Sequence, residues 1–573
     1  MRVRHRPAIV APSTLAHPVF AALAALAVWR ALQQQWVAEV APPETVATLR
    51  LALPLLSAYA SALAIAARRF RDDALSVAGL LVVVAILALG QLGRDATGLL
   101  FVAAIAIRFA PLALVAVVGG ARPAWLVFLT AFGVYGALAA WVTVATAPYG
   151  DQVHYLLAAD RLAHASVDAT LDAELFRSLI GVPPSAEDAA THLVDTALGP
   201  RAIQGYAVPA LLLPGWLLLG RLGASLVVAL FAAWASLQTA LLLRETAPAR
   251  VVGVTWAMTS FLPPLVPLAA YLYPNAIGAA IIVTAYRLAF TRARPQYALA
   301  GALLATTLFL TPRDAIALVA LAPFVRSRAF FAAVGAVALV AIVANAALYG
   351  LPLPYAGYVY GTAAAQSFTG EPSISFRFWV GLPAILFDGT FGVAGSAPWL
   401  FLALAGIAAG LRTPKLRPAL VAVGASLLAL SLFRYWEGGY APPNRYLVDV
   451  LPLVAPLVAL GLVRAAGAAP RAAAGLLAAL GALAGLVFAA APDRALNTAF
   501  QRQLRDAFEA ILGIDPLGWL PSFQPTTPDW YIGAYARLLP ALAIAGALVW
   551  LGVRMERASR EPPAARGPVA AAR

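Results

Sequence analysis

The segment 148–157 carries the residues whose types and spacing are best suited to chemistry. It reads Pro-Tyr-Gly-Asp-Gln-Val-His-Tyr-Leu-Leu and follows a long apolar run. Gly150 permits a tight turn, which would place Asp151 at the start of a helix. Asp is among the best helix-capping residues, so one interpretation of Asp151 is structural. A carboxylate at the mouth of a cavity can also act as a general base, and the two roles are compatible.

A second segment, 433–447, combines arginines with aromatic, glycine and proline residues. One interpretation is an aromatic belt at a membrane interface, with Arg434 and Arg445 extending their charged ends toward water. The other is a site for an anion, because a guanidinium group can hold phosphate oxygens through two parallel hydrogen bonds. The sequence leaves both interpretations open.

Two shorter segments place polar groups beside apolar runs. Arg313 and Asp314 follow a proline between two short apolar stretches. Ionisable residues in such surroundings suggest a functional site, and the alternative is a mutual ion pair that closes a broken helix. The segment 271–275, Tyr-Leu-Tyr-Pro-Asn, predicts a turn that could line a cavity.

A bundle of membrane helices must position these segments. Of the 573 residues, 62% are hydrophobic and 12% are charged, whereas soluble domains carry about 25% charged residues. Uncharged runs of about 17 to 25 residues recur, which is the helix length that crosses a bilayer. The composition excludes an ordinary soluble enzyme and a disordered scaffold, and the long runs exclude a transmembrane barrel. The chain has no cysteine, which excludes disulfides and thiolate metal sites.

Basic residues are concentrated in short segments between the apolar runs, and this bias predicts the topology. The net charge of +14 is explained by arginines in cytoplasmic loops, so we do not expect nucleic-acid binding. With both termini cytoplasmic, three long segments are predicted to lie outside: 146–221, 350–389 and 491–535. The pair 297–311 and 312–325 forms either two short spans or a broken, re-entrant pair.

The sequence therefore predicts an all-α polytopic membrane protein with about 14 to 16 transmembrane helices. The predicted spans lie near residues 18–36, 46–67, 74–92, 98–118, 124–145, 222–243, 251–270, 275–291, 297–311, 312–325, 329–349, 390–411, 418–433, 446–464, 472–490 and 536–553. The predicted divisions are an N-terminal four-helix transmembrane module (1–123), a central core with the long outer loop (124–465), C-terminal transmembrane helices (466–555) and a disordered cytoplasmic tail (556–573).

Between about residues 125 and 465, motifs in the same order resemble those of the GT-C superfamily of integral-membrane glycosyltransferases. Gly150–Leu157 is similar to the Gly-Asp-Glu-x-His-Tyr-Leu motif of many bacterial members. The stretch Gln204–Pro209, continuing to Pro214, resembles the segment that closes the large loop. Tyr273–Asn275 is similar to Tyr-Pro-Glu, and Thr311–Asp314 is similar to the Pro-Arg or Lys-Pro element of a later loop. Leu386–Gly392 is similar to Phe-Asp-x-x-x-Gly, and Trp436–Gly439 with Asn444–Leu447 is similar to Trp-x-Gly-Gly followed by Pro-Arg-Tyr-Leu.

The resemblance implies a GT-C-like helical bundle with helices in its extracytoplasmic loop. It also implies an inverting transfer of a sugar from a polyprenyl-phosphate donor to an acceptor glycan, lipid or protein. The reaction would take place on the outer face of a bacterial cytoplasmic (inner) membrane, as a step in cell-envelope glycan synthesis. Asp151 would be the general base, and Arg445 and Arg313 are candidates to hold the phosphate.

Two positions depart from the pattern of the resembling motifs. Gln152 replaces the acidic residue that usually follows the catalytic Asp, so a divalent metal ion held by a carboxylate pair is not favoured, and no metal ligand is predicted. Asn275 likewise stands where an acid is usual. The implied substrate-binding residues are Gln152, His154, Tyr155, Tyr273, Asn275, Arg313, Asp314, Glu437, Arg445 and Tyr446.

Alternative classes remain open at the level of the sequence. A polymerase or ligase of lipid-linked oligosaccharides would share the lipid donor and the outer-facing arginines. Such an enzyme would rely on Arg and His residues, and the presence of His154 and His192 is compatible with this class. A transporter or flippase would explain the many spans but not a long outer loop that begins with Gly-Asp. A structural scaffold would explain none of the polar segments.

Overall fold

The computed structural model describes residues 124–169, 172–184, 192–361, 377–434, 436–438, 441–465, 468–490, 492, 503–523 and 530–558. These residues are mostly helical, and a short antiparallel hairpin pairs strands β1 (Leu193–Thr196) and β2 (Gly199–Ala202). The predicted module 1–123 and the predicted tail beyond residue 558 lie outside the described residues.

The helices follow one another along the chain. The α-helices are α1 (Ala124–Ala145), α2 (Asp151–Ala163), α3 (Ala173–Ile180), α4 (Ala207–Thr246), α5 (Ala249–Phe261), α6 (Leu265–Leu268), α7 (Asn275–Tyr286), α8 (Tyr297–Ala305), α9 (Pro312–Leu321), α10 (Arg328–Tyr349), α11 (Phe378–Phe387), α12 (Val393–Ser396), α13 (Leu402–Arg412), α14 (Arg417–Ser431), α15 (Leu451–Arg464), α16 (Ala468–Ala490), α17 (Gln503–Leu512) and α18 (Trp530–Ala558). Tighter or wider turns accompany them at Arg287–Thr291, Thr306–Phe309, Ala322–Phe324, Pro398–Phe401, Pro414–Leu416 and Arg445–Val450.

Six of the described helices are long and apolar enough to cross a membrane. This confirms the predicted class of an all-α protein with membrane-spanning helices. The six candidate spans are Ala124–Thr143, Ala207–Thr246, Arg328–Tyr349, Arg445–Arg464, Pro470–Ala489 and Gly533–Trp550. Shorter apolar helices lie at Asn275–Thr291, Tyr297–Phe309, Phe378–Phe387 and Pro398–Arg412.

Helix α4 consists of two helical arms joined by a sharp bend at Leu219 and Gly220, whose backbone angles are not helical. In a straight helix the Cα atoms of Gly215 and Gly223 would be about 12 Å apart. Instead, a methyl group on Gly215 would lie 2.3 Å from the carbonyl oxygen of Gly223. The chain therefore doubles back, and the arm that follows the bend corresponds to the predicted span 222–243.

Arg221 fastens this bend to the end of α1. Its buried guanidinium donates to the carbonyl oxygens of Thr143 (3.2 Å) and Thr146, which are acceptors at the C-terminal end of a helix. Because α1 leads directly into α2, this contact also fixes the turn that presents Asp151.

Prolines and caps divide several of the other predicted spans. The predicted span 251–270 is helix α5 followed by Pro263-Pro264 and the short α6, because proline cannot continue a helix. The predicted pair 297–311 and 312–325 is interrupted at Thr311, where Thr311 and Asp314 form a capping box and Pro312 starts α9.

Two further boundaries differ from those predicted. The apolar helix α11 lies within 350–389, which the sequence analysis assigned to an outer segment. Helix α18 continues to Ala558, so the first three residues of the predicted tail 556–573 are helical. Apolar length alone does not distinguish a helix that packs against the bundle from one that spans it.

Candidate active site

Asp151 occupies the first turn of α2, but it does not cap that helix. The N-cap residue is Gly150, whose φ of 54° favours glycine, and no side chain caps the helix. The structural interpretation of Asp151 as an N-cap is therefore wrong. Its carboxylate instead contacts Arg445 Nη1 at 3.1 Å through Oδ2, and His192 Nε2 and Gln204 Nε2 at 3.4 Å each through Oδ1.

The electrostatic surroundings keep Asp151 ionised. Burial alone would raise the pKa of its carboxyl group, but the guanidinium of Arg445, the imidazole of His192 and the charge of Arg313 outweigh burial. Together they hold the pKa of Asp151 well below its usual range. Asp151 is thus a weak base while it is paired with Arg445. An anion that binds Arg445 would weaken this pairing and make Asp151 more basic.

Arg445 is enclosed by aromatic rings. Its guanidinium carbon lies 4.8 Å from the ring centre of Tyr273 and 4.7 Å from that of Tyr446, distances that suit cation–π contact. Its Nη2 donates to the Tyr446 hydroxyl at 3.0 Å, and its buried Nε has no hydrogen-bond partner. The Arg445–Val450 turn starts after Asn444, whose φ is 60°.

Arg313 approaches the same tyrosine. Its guanidinium carbon lies 3.9 Å from the ring centre of Tyr446. Its buried Nε has no hydrogen-bond partner, and no ion pair joins it to Asp314. The alternative of a mutual ion pair is wrong because Asp314 caps α9 through Thr311. Both guanidinium groups therefore lie against the ring of Tyr446. Of the two arginines, only Arg445 forms an ion pair with Asp151.

Two carboxyl groups, those of Asp314 and Asp449, lie close to Arg313. They are within electrostatic range of each other and of the Arg313 charge. The amide of Asn275 donates to Asp449 Oδ1 at 2.9 Å, and its own oxygen is buried without a partner. A methyl group on Gly278 would lie 2.5 Å from Asp314 Oδ1, so the cluster is tightly packed.

Three predicted residues of α2 are buried within the protein. Gln152 accepts from the backbone of Leu272 at 3.2 Å and donates to the carbonyl of Tyr149 at 3.3 Å. It therefore ties α2 to the turn 271–275. Tyr155 is buried. The first turns of α2 are enclosed by protein.

His154 stacks on His192, with ring centres 3.7 Å apart. Burial, and then the proximity of His192, lower the pKa of His154 well below its usual value. A neutral His154 is a flat, polar support for the ring of His192, which in turn contacts Asp151. His154 therefore acts on the carboxylate indirectly.

Glu437 lies within electrostatic range of Arg445. Burial raises the pKa of Glu437 to about 7, although the charge of Arg445 acts in the opposite direction. Asp388, from the resembling segment 386–392, accepts from the backbone nitrogens of Thr390, Phe391 and Phe523. Asp388 therefore anchors the loop at Phe523 and does not reach Asp151.

The structure adds two residues that the sequence analysis did not name, Asp449 and Tyr358, and it brings His192 and Gln204 into contact with Asp151. Asp449 lies near Asp314, and Tyr358 lies within electrostatic range of both Asp151 and Arg313. An ionisable residue within a span was the available signal for Asp449. The contacts of His192, Gln204 and Tyr358 join distant parts of the chain, and spacing along the sequence does not reveal them.

The arrangement suits an anion beside a base. Among the residues that the structure describes, no three His, Asp or Glu side chains are grouped as a metal site. The groups that converge are one carboxylate, two guanidiniums and the hydroxyl of Tyr446. No family model, curated protein or solved structure matches this chain.

Proposed function

We propose that the protein is a membrane glycosyltransferase with a GT-C-like helical bundle. It transfers a sugar from a polyprenyl-phosphate donor to an acceptor hydroxyl on the outer face of a bacterial cytoplasmic membrane. The observation that carries the proposal is the placement of Asp151 in contact with Arg445, with the unpaired guanidinium of Arg313 beside the same Tyr446 ring. A base and an anion clamp that lie together are what a transfer from a phosphate leaving group requires.

The chemistry follows from these positions. The acceptor oxygen attacks the anomeric carbon, and its proton passes to Asp151. The bond between the anomeric carbon and the phosphate oxygen breaks, and its electron pair leaves with polyprenyl phosphate. Arg445 and Arg313 stabilise the negative charge that develops on the leaving phosphate. Attack from the side opposite the leaving group inverts the configuration of the sugar.

The Asp151–Arg445 ion pair gives donor binding a second role. A phosphate that draws hydrogen bonds from Arg445 reduces the hold of this guanidinium on Asp151. Since the Arg445 charge is the largest influence that lowers the pKa of Asp151, sharing it with phosphate makes the carboxylate more basic. The base would therefore reach its full strength only when a donor is bound.

The proposal is tested by Asp151→Asn. We expect transfer to fall by about 100-fold or more, the usual contribution of a general base, with the folded yield retained. Mass spectrometry of lipid extracts should show a polyprenyl-phosphate sugar accumulating in cells that carry the variant. The matched control is Asp506→Asn, an exposed carboxyl on α17. Normal turnover by Asp151→Asn would refute the role of Asp151.

A second candidate function is favoured by one contact. His192 lies 3.4 Å from Asp151, and a polymerase or ligase of lipid-linked oligosaccharides would use Arg and His residues. The two candidates differ in the lipid that they consume. Accumulation of a polyprenyl-diphosphate oligosaccharide in the Asp151→Asn cells, in place of a monophosphate sugar, would favour the ligase.

A further inference from the structure

A small cavity is lined by Gln204, whose side chain contacts Asp151. Its volume is roughly 110 Å³, the share of about three to four water molecules. It is enclosed by the turn after β2, the end of α10 and the segment 355–358. Lining residues include Ile203, Gln204, Tyr206, Asn345, Tyr355 and Tyr358.

Gln204 connects this cavity to the candidate base. Its Nε2 donates to Asp151 Oδ1 at 3.4 Å, the carboxylate oxygen that does not contact Arg445. Its Oε1 is buried and has no hydrogen-bond partner, and only 6% of the residue is exposed. An unpaired buried acceptor is unfavourable by about 1 to 3 kcal/mol. A ligand hydroxyl that donates to Oε1 would remove that penalty.

Tyr355 and Asn345 add polar groups to a cavity wall that is otherwise largely apolar. Tyr355 has a φ of 59°, which is costly for a bulky residue and concentrates at functional sites. Its hydroxyl donates to the carbonyl of Thr307 at 3.1 Å. Asn345 is a polar residue in the otherwise apolar helix α10, and it lines the cavity. Its Nδ2 donates to the carbonyl oxygen of Ala341. A polar residue in such a helix points to function.

We propose that this cavity is the acceptor subsite, and that its ligand is the edge of a single sugar ring. The inference rests on the proposed function and names the acceptor class, a carbohydrate hydroxyl. Gln204 Oε1 accepts a hydrogen bond from one ring hydroxyl, while the attacking hydroxyl gives its proton to Asp151. Tyrosine rings offer apolar faces to the ring carbons, since the hydroxyls of Tyr206, Tyr349 and Tyr355 already donate to backbone carbonyls. The volume is too small for an isoprenoid chain, so the donor would bind elsewhere, beside Arg445.

A larger side chain that fills the cavity, with Arg313 and Arg445 unchanged, tests the proposal. Ala344 lines the cavity, whereas Ala347 on the same helix is exposed and is not part of the lining. Ala344→Phe and Ala347→Phe are therefore a matched pair. The probe is a panel of methyl glycosides of common hexoses and pentoses, and binding to the full chain in nanodiscs is followed by saturation-transfer NMR. We expect wild type and Ala347→Phe to give a signal that falls at least tenfold in Ala344→Phe.

Two further measurements distinguish a defect in acceptor binding from a defect in donor binding. The dissociation constant for polyprenyl phosphate should be equal in the two Phe variants, while the KM for the acceptor should rise at least tenfold in Ala344→Phe only. If Ala344→Phe does not fold, Asn345→Ala, which removes a polar group from the cavity wall, is expected to lower glycoside binding in the same direction.

Several results would overturn the inference or separate it from the proposed function. The acceptor subsite is refuted if no glycoside binds, or if Ala344→Phe leaves both glycoside binding and the acceptor KM unchanged. Transfer that persists with an unchanged acceptor KM would reject the subsite but retain the proposed function. Glycoside binding that Ala344→Phe removes, in a protein that transfers no sugar from any polyprenyl-phosphate donor, would retain the sugar site and reject the proposed function.

Discussion

At the scale of single residues, replacing Arg313 and replacing Arg445 should have different effects on stability. Arg313→Gln removes a partly buried guanidinium that lies within electrostatic range of Asp314 and Asp449, so we expect a moderate loss of stability. Arg445→Gln removes the nearest counter-charge of the partly buried Asp151, which should be more destabilising. Both variants should weaken binding of polyprenyl phosphate by about 10- to 100-fold, since charge-assisted hydrogen bonds are worth about 1.5 to 3 kcal/mol.

Native mass spectrometry with polyprenyl phosphate and thermal unfolding in detergent measure the two effects separately. Asp151→Asn added to Arg445→Gln should restore thermal stability, because it removes the unpaired charge, but should not restore phosphate binding. Equal affinity in wild type and both Gln variants would exclude the anion clamp.

Glu437 makes stability depend on pH. Its pKa is about 7 in the folded protein against a usual value of 4.5. Between these values the folded state binds a proton that the unfolded state releases, so the free energy of unfolding falls as pH rises through this window. Glu437→Gln should abolish this fall and stabilise the protein by about 1 to 3 kcal/mol at pH 8, with little effect at pH 4.5.

Thermal unfolding at pH 5 and pH 8 tests the role of Glu437. Glu174→Gln, at an exposed site on α3, is the matched control and should retain the wild-type dependence. If Glu437→Gln keeps the same loss of stability between the two pH values, then the Glu437 carboxyl is not responsible for it.

The sequence predicted site residues better than their contacts. Asp151, Arg445, Arg313, Tyr273 and Tyr446 were all singled out, and the structure brings these residues together. Their pairing was not predictable, because Asp151 and Arg445 are 294 residues apart in the chain. Residue types indicated the chemistry, whereas the bend in α4 and the capped end of α9 determine which groups meet.

At the scale of elements, the bend in α4 depends on close contact between two glycines. A methyl group on Gly223 would lie 1.9 Å from the carbonyl oxygen of Gly215, and backbone atoms cannot yield by that amount. Gly215→Val and Gly223→Val should each be destabilising by more than about 3 kcal/mol. Size-exclusion chromatography of a fluorescent fusion should show loss of the monodisperse peak. Gly335→Val, on α10 with open space around it, should behave as wild type; similar profiles for all three would show that the bend is absent.

Apolar runs predicted the long helices well and the short ones poorly. The predicted span 124–145 coincides with α1, and the predicted 329–349 nearly coincides with α10. Near Thr311 and Pro263 the apolar run continues while the helix stops, since capping and proline act on the backbone rather than on hydropathy. These interruptions were missed because an average over a window conceals single residues.

At the scale of the whole molecule, the proposed function requires the Asp151 end of the bundle to face outward, and the absence of cysteine makes this directly measurable. Ser178→Cys on α3 and Glu509→Cys on α17 introduce single thiols at exposed positions of the predicted outer segments, and Arg326→Cys and Arg412→Cys do so at exposed positions of predicted inner loops. A membrane-impermeant maleimide should label the first pair in intact spheroplasts and the second pair only after lysis. All four thiols should react equally in detergent. The reversed pattern would place Asp151 and both arginines on the cytoplasmic side, where a donor presented at the outer face cannot reach them. The proposed transfer would then fail, even if the geometry of the site were correct.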